Sequence, residues 1–226
     1  MGNEANEVLI PAMLEHCRDV LGMNGALFAW LDDIDCPEVD GQLGIDDRFV
    51  DDYLGTAAAF DPLRTNLIVD KGKAISSLSD SRREGPSADT AFYTNFLARY
   101  GYHDEIDIVL RNENKPVAVL GLFGQRSSSA ANDVVITRSL LRLMENYVSF
   151  HPRVRRQRQY RALRYRFGLT EREAEITTMV SSGAANATIA QLLGIATSTT
   201  KTHLIKIMDK LGAESRMQVG AILQQL

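Results

Sequence analysis

Residues 169–226 read LTEREAEITTMVSSGAANATIAQLLGIATSTTKTHLIKIMDKLGAESRMQVGAILQQL, and the caps and apolar spacing of this stretch decide the fold of the C-terminal region. Thr170 with Glu173 has the form of a capping box, in which a hydroxyl and a carboxylate satisfy two of the amides that a helix start leaves unpaired. The helix it opens runs through Ile176, Met179 and Val180 to a stop at Gly183. Asn186 is placed to cap a second helix, with Ile189, Leu192 and Leu193 ending at Gly194. Thr197 is placed to cap a third, through Leu204, Ile207, Met208 and Leu211 to Gly212. Ser215 with Gln218 opens a fourth, striped by Val219, Ile222, Leu223 and Leu226. Only Gly194-Ile195-Ala196 separates the second helix from the third. So short a turn sets two helices steeply across each other and lets the later one enter a major groove.

Charge divides the chain in the same place. The 226 residues carry a net charge of −4. Residues 1–150 hold 13 Lys and Arg against 24 Asp and Glu, net −11, whereas residues 151–226 hold 12 against 5, net +7. Only the second segment has the sign that phosphate neutralisation requires. Within it, His151 to Phe167 holds seven arginines and keeps Tyr160, Leu163 and Phe167 at helical spacing, which reads as a basic helical linker. The expected organisation is a regulatory domain over 1–150, the linker over 151–168 and an all-α four-helix helix-turn-helix domain over 169–226.

The C-terminal motifs resemble those of the LuxR/GerE family of bacterial transcription regulators. Leu169-Thr170-Glu171-Arg172-Glu173 is similar to the family's LTxRE opening, and Gly183 with Asn186 to its bend. Ile189-Ala190 with Leu192 to Ile195, Thr199 to His203, and Lys210-Leu211-Gly212 with Ser215-Arg216 resemble the helices that follow. Two positions depart: Ala196 stands where the family has a Ser cap, which leaves that role to Thr197, and Thr200 stands where a buried Val is usual. The resemblance implies sequence-specific binding of double-stranded DNA, with Lys201, Thr202 and Ile205 facing the groove, Thr199, Lys206 and Lys210 placed for phosphates, and Thr197, the expected cap, also among the DNA-binding residues. Ile205 cannot donate to guanine but can pack on a thymine methyl. Taken alone, Lys201, Lys206 and Lys210 would be a solvated helix face. The resemblance also implies a homodimer, with RNA polymerase as a candidate partner. Val219, Ile222, Leu223 and Leu226 are either a pairing surface or the closure of the small domain's own core, and the helix expected over Asp133–Phe150, with Val134, Leu140, Leu141, Met144 and Val148, is the other candidate for pairing.

The first 150 residues alternate helical and strand patterns. Ile10, Met13, Leu14, Cys17, Val20 and Leu21 stripe a helix stopped by Gly22; Gly25 to Leu31 reads as a buried strand; Phe49, Val50, Tyr53 and Leu54 lie on one face of a helix over Asp46–Ala59. Cys36 falls in an acidic, loop-like stretch. Ala74 to Leu78 reads as a short strand, Ser79 to Ser87 as a loop, and Ala88 to Tyr100 as a helix. His103–Leu110, with Ile106, Ile108 and Leu110 on one face, and Pro116–Phe123 read as a hairpin around Arg111–Lys115. The expected class is an α+β sensor domain, an antiparallel sheet with helices of GAF- or PAS-like kind.

Phe49, Tyr53 and Asp61-Pro62 resemble the aromatic, aromatic, Asp-Pro series of the acyl-homoserine-lactone pocket in LuxR-type receptors, where the Asp takes the ligand's amide. The later Trp of that series has no counterpart near Ser76–Asp80, and its strand after the third helix is replaced by His103-Asp104-Glu105-Ile106. Phe92-Tyr93, Asn95-Phe96-Leu97 and Tyr100-Gly101 look more like relatives with GAF- or PAS-like input domains. A small-molecule ligand in the N-terminal domain is expected, with Trp30, Phe49, Tyr53 and Asp61 as candidate contacts; a helix core, a turn and a strand core are the plainer readings of the same residues.

Other classes fit less well. Asp32-Asp33, Asp61 and Lys115-Pro116 supply the residue types of a phosphorylated receiver, but Lys115 precedes an apolar strand where a receiver's lysine ends one. His16, His103, His151 and His203 have no metal-ligand spacing, and neither a GxSxG elbow nor a phosphate loop is present, so no enzyme, metal or cofactor is expected. Two cysteines are too few for a disulfide framework, and with no apolar run near 18 residues a cytoplasmic protein without membrane contact is expected.

Overall fold

The structure, a computed structural model, describes residues 4–33, 36–85, 87–125 and 138–226. It divides into two compact units, Met1–Phe150 and His151–Leu226.

The first unit is built on one antiparallel sheet of five strands in the order β2-β1-β5-β4-β3, where β1 is Gly25–Asp33, β2 Cys36–Leu43, β3 Ile75–Ser77, β4 Asp104–Asn112 and β5 Lys115–Gly124. With helices packed on it, this is the expected α+β class. Helix α1 (Glu4–Val20) buries Ile10, Leu14 and Cys17 against one sheet face, where Gly41 leaves room: a Cβ there would lie 3.0 Å from Ile10. Val20, at the end of the stripe, is exposed. The same face receives α6 (Arg138–Phe150) through Met144 and Val148, with Cys17 Sγ 3.5 Å from Met144 Sδ. The earlier part of the expected helix, including Val134, lies outside the described residues.

The opposite face is covered by α2 (Asp47–Asp52), which continues as a π-turn over Tyr53–Ala57 and a 3-10 turn over Ala58–Phe60, and by α5 (Ala88–Arg99). Phe49 is the hub of this layer, with ring centroids 5.0 Å from Phe123, 5.4 Å from Phe96 and 5.6 Å from Tyr102. Because both faces are covered, every described residue of β4 except Arg111 is buried.

Two expectations are corrected, and one helix is added. The stretch around Cys36 is strand β2, an edge strand in which exposed Glu38, Asp40 and Gln42 alternate with half-buried Val39, Gly41 and Leu43; its charges guard the edge. Helix α4 (Leu78–Glu84) replaces the loop expected from Ser79, started by the Ser77 hydroxyl accepting from the amide of Asp80. Helix α3 (Thr65–Asp70) is too short to leave a periodic trace. The β4–β5 hairpin closes in two residues, Glu113 and Asn114, both at positive φ as a twisted two-residue turn requires.

The second unit is all helical: α7 (Pro152–Arg161), a π-turn over Ala162–Arg166, α8 (Glu171–Ser181), α9 (Asn186–Leu193), α10 (Thr197–Leu211) and α11 (Arg216–Gln225). Its core gathers Leu163, Leu169, Ile176, Val180, Ile189, Leu204, Ile207, Leu211, Val219 and Leu223. Leu163 comes from the arginine-rich segment, which is also tied down by Gln159 donating to Leu223 O and Arg164 to Leu169 O. On α11, Val219 and Leu223 are buried and Ile222 and Leu226 pack on the same core, so the apolar stripe closes the unit itself.

Candidate nucleic-acid interface and sensor cavity

The Thr170–Glu173 capping box is fully formed and starts α8. Ser215 likewise caps α11, its hydroxyl accepting from the amide of Gln218, whereas the caps of α9 and α10 fall one residue earlier than the amide and hydroxyl side chains would place them. Ala185 caps α9 and Ala196 caps α10, neither with a side-chain hydrogen bond, so Asn186 and Thr197 are first-turn residues rather than caps. The Asn186 amide oxygen is used elsewhere, accepting from Arg216 Nη1 at 2.7 Å, while Arg216 Nη2 donates to Ala184 O. Arg172 makes the matching tie at the far end of α9, donating to Leu193 O at 2.7 Å and pairing with Glu175. The two arginines of the motif therefore hold the first helix of the pair at both ends.

Gly194 turns the chain between α9 and α10 at φ +62°, a conformation that strains any residue bearing a Cβ, and the amide of Ile195 closes the turn on Ala190 O at 3.0 Å. Helix α10 then points Thr200, Leu204, Ile207 and Leu211 into the core. Thr200 is fully buried where an apolar residue is usual, and its hydroxyl donates back to Ala196 O at 3.4 Å, so it carries no unpaired group inward. The outward face presents Thr197, Thr199, Lys201, Thr202, Ile205 and Lys206, all exposed. Ile205 is 64% exposed, a branched apolar side chain in the middle of a polar face. Lys210 is placed differently. Its ammonium donates to Glu173 Oε2 at 2.6 Å and to Gly168 O at 2.9 Å, which fastens the end of α10 to the start of α8. That pairing, with the capping hydrogen bonds, holds the Glu173 carboxyl below its usual pKa against the opposing effect of burial.

The first unit holds a cavity of about 60 Å³ on the sheet face under α2. Its walls are Leu27, Ala29, Val119 and Gly121 from the sheet and Phe49, Tyr53, Asp61 and Arg64 from the segment above, with Glu105 and Asp107 from β4. Phe49, Tyr53 and Asp61 are thus brought together. Asp61 is buried, its Oδ2 accepting from Tyr53 OH at 2.8 Å and its Oδ1 from the amide of Leu63 at 2.7 Å. Burial raises its pKa to about 6, against the opposing pull of those hydrogen bonds and of Arg64. Trp30 is not among the lining residues. Strand alternation turns Leu27 and Ala29 to the cavity and Trp30 to the other face, where it packs edge-on against Phe28, and its Nε1 donates to Asp40.

Sequence reasoning missed Glu105 and Asp107, and with them Arg64 and Tyr93. Tyr93 OH donates to Glu105 Oε2 at 2.7 Å, and Glu105 and Asp107 share a hydrogen bond. Both carboxyls are raised well above their ordinary pKa, first by burial. Their trace in the sequence is the alternation Glu105-Ile106-Asp107-Ile108, which places both acids on one face of a strand without showing that this face is covered.

Residues 168–222 match the family model of bacterial regulatory proteins of the luxR family. Over 214 residues the chain is 24% identical to the monoamine regulon transcriptional regulator of Klebsiella aerogenes, with 95% of this chain and 89% of that protein aligned. Among solved structures it is similar to Escherichia coli SdiA, at 15% identity and a TM-score of 0.45 over 94% of this chain and 87% of that one. It is similar also to SdiA in complex with octanoyl-rac-glycerol, at 15% identity and a TM-score of 0.47 over 97% and 86%.

Proposed function

We propose that this chain, a transcriptional regulator whose C-terminal unit is a LuxR-family helix-turn-helix domain, reads double-stranded DNA with the exposed face of α10 under the control of a small molecule held in its N-terminal unit. The observation that carries the DNA reading is that face itself: Lys201, Thr202 and Ile205 stand clear of the core, flanked by Lys206. They lie on a helix crossed by α9 through a three-residue turn. Lys201, Thr202 and Ile205 read base edges, while Thr199, Lys206 and the first amides of α10, which have no side-chain cap, meet phosphates. Lys210 contributes by holding the helix rather than by reaching out.

One recognition helix reads few base pairs, so the chain acts as a homodimer on two half-sites. With the α11 stripe spent on its own core, pairing falls to α6, where Leu143 and Tyr147 are exposed at a spacing of four. The protein works in the cytoplasm, with RNA polymerase as the machinery it influences, by binding rather than catalysis; among the described residues no helix is long and apolar enough to cross a membrane. The acyl-homoserine-lactone alternative is less well served by the cavity. A volume of about 60 Å³ is far below the ~300 Å³ at which sites for drug-sized ligands begin.

The test is titration of the full chain onto random-sequence duplex DNA at rising salt. Binding at low salt should weaken linearly in log–log form, each phosphate contact adding about 0.9 to the slope. Absence of binding at low salt would contradict the assignment.

A further inference from the structure

The cavity under α2 has an unusual charge balance for an apolar pocket. Three carboxyl groups line it, Asp61, Glu105 and Asp107, each less than 10% exposed, against one half-buried guanidinium, that of Arg64. Two of the three have phenol donors, Tyr53 for Asp61 and Tyr93 for Glu105. Asp107 does not: it is 7% exposed and its Oδ1, beside the cavity, has no hydrogen-bond partner. A buried carboxylate oxygen left unpaired is costly unless something that enters the pocket satisfies it.

The wall opposite is kept open for such an entrant. Gly121 pairs with Asp107 across the β4–β5 ladder and also lines the cavity, and a Cβ there would lie 3.2 Å from Asp107 Oδ1. The remaining walls, Leu27, Val119 and Phe49, are apolar or aromatic. Among the described residues no three acidic, His or Cys side chains are grouped so as to hold a metal ion. The occupant these walls fit has a positive end and a hydrocarbon body.

We propose that the cavity binds a small primary amine, its ammonium group held by Asp107 and Glu105 with Asp61 beside them, and its hydrocarbon part against Leu27, Val119 and Phe49. This rests on the reading of the N-terminal unit as a small-molecule sensor and names the chemical class it senses. An ammonium has three donors and suits a cluster of acceptors. Its short body suits the volume, which is under half of the ~150 Å³ that encloses benzene in an apolar cavity. Binding is linked to protons. Burial raises the pKa of all three acids in the empty site, so a cation that enters favours their charged forms and releases protons; affinity therefore rises from pH 6 to pH 8, where an alkylamine with a pKa near that of lysine, about 10.4, stays charged. Of the other polar groups facing the acids, Tyr53 and Tyr93 hold their protons, raised well above the ordinary phenol range, and the Arg64 guanidinium is the cation with which the ammonium shares the site.

The test compares n-butylamine, 1-butanol and butyrate as additives in thermal melts of the full chain at pH 6 and pH 8, with native mass spectrometry of the purified protein alongside. Butylamine alone should raise the melting temperature, saturably and more at pH 8. Asp107→Asn should weaken its affinity at least about tenfold, and Gly121→Ala, which puts a methyl on the carboxylate, should do the same; circular dichroism verifies that both variants are folded. Equal shifts with butanol, a larger shift with butyrate, or an undiminished shift in Asp107→Asn would overturn the amine assignment. If none of the three additives acts, the amine assignment also fails; a neutral molecule found bound in the mass spectrum would then leave the sensor reading standing, and an empty spectrum would remove both.

Discussion

Lys210→Met should destabilise the C-terminal unit by about 3 kcal/mol and reduce its loss of stability in acid. The ammonium of Lys210 is what pairs the Glu173 carboxylate, which is 4% exposed and has only the capping hydrogen bonds of Thr170 besides. Methionine keeps the length of the stem and removes the charge, leaving a buried carboxylate without its counter-ion. Breaking a buried pair this way costs about 3–5 kcal/mol, and the low end applies because Lys210 keeps 33% of its side chain in solvent. For a unit of this size each kcal/mol moves the melting temperature by about 4–8 °C, so a melt of the full chain resolves the shift. In the wild type the Glu173 pKa is lowered on folding; its contribution is present above the unfolded carboxyl pKa and lost as the pH falls through the folded value. In Lys210→Met burial is opposed only by the Thr170 hydrogen bonds, so the Glu173 pKa rises relative to wild type and less stability is lost on acidification. Lys210→Met with Glu173→Gln should recover most of the loss, since the charge and its partner leave together. Equal stability of Lys210→Met and wild type at neutral pH would show that the ammonium does no more than sit at the surface.

Lys206→Ala, by contrast, should leave stability within about 0.5 kcal/mol, because the residue is exposed and makes no contact in the core. It should weaken binding to all duplexes alike and lower the salt slope by about 0.9. Lys201→Ala and Ile205→Ala should instead relax preference by about 1–3 kcal/mol at one base each. At the Ile205 position the base lost should be a thymine, whose methyl is what an exposed isoleucine can contact. Parallel losses on specific and random DNA for all three variants would mean that another face of α10 meets the groove.

The helices of the C-terminal unit were legible because their ends are written locally: a capping box, glycines at the stops, apolar residues every three or four positions. The two caps placed wrongly show the limit of that rule. Asn186 and Thr197 have the right chemistry, but Ala185 and Ala196 hold the extended conformation that starts each helix, and the Asn186 side chain is drawn away to Arg216. Lys210 looked like one of three equivalent surface lysines because its acceptors, Glu173 and Gly168, are about forty residues away in the chain. In the N-terminal unit the Phe49-Tyr53-Asp61 group could be picked out by type and spacing, whereas Glu105 and Asp107 could not. An acid that alternates with isoleucine in a strand reads as facing water, and that holds only for a sheet with one covered face. Here helices cover both, and nothing local to Asp104–Asn112 announces the second layer.

Selection of sequences from a random double-stranded DNA pool by the full chain tests the central claim most directly. Enrichment of an inverted repeat with half-site centres about one helical turn apart, roughly 10 base pairs, is expected, with a thymine in each half-site whose preference disappears with Ile205→Ala. A pool that shows no enrichment, or the same motif enriched by a variant with Lys201, Thr202 and Ile205 all replaced by alanine, would contradict the assignment of α10 as the element that reads DNA.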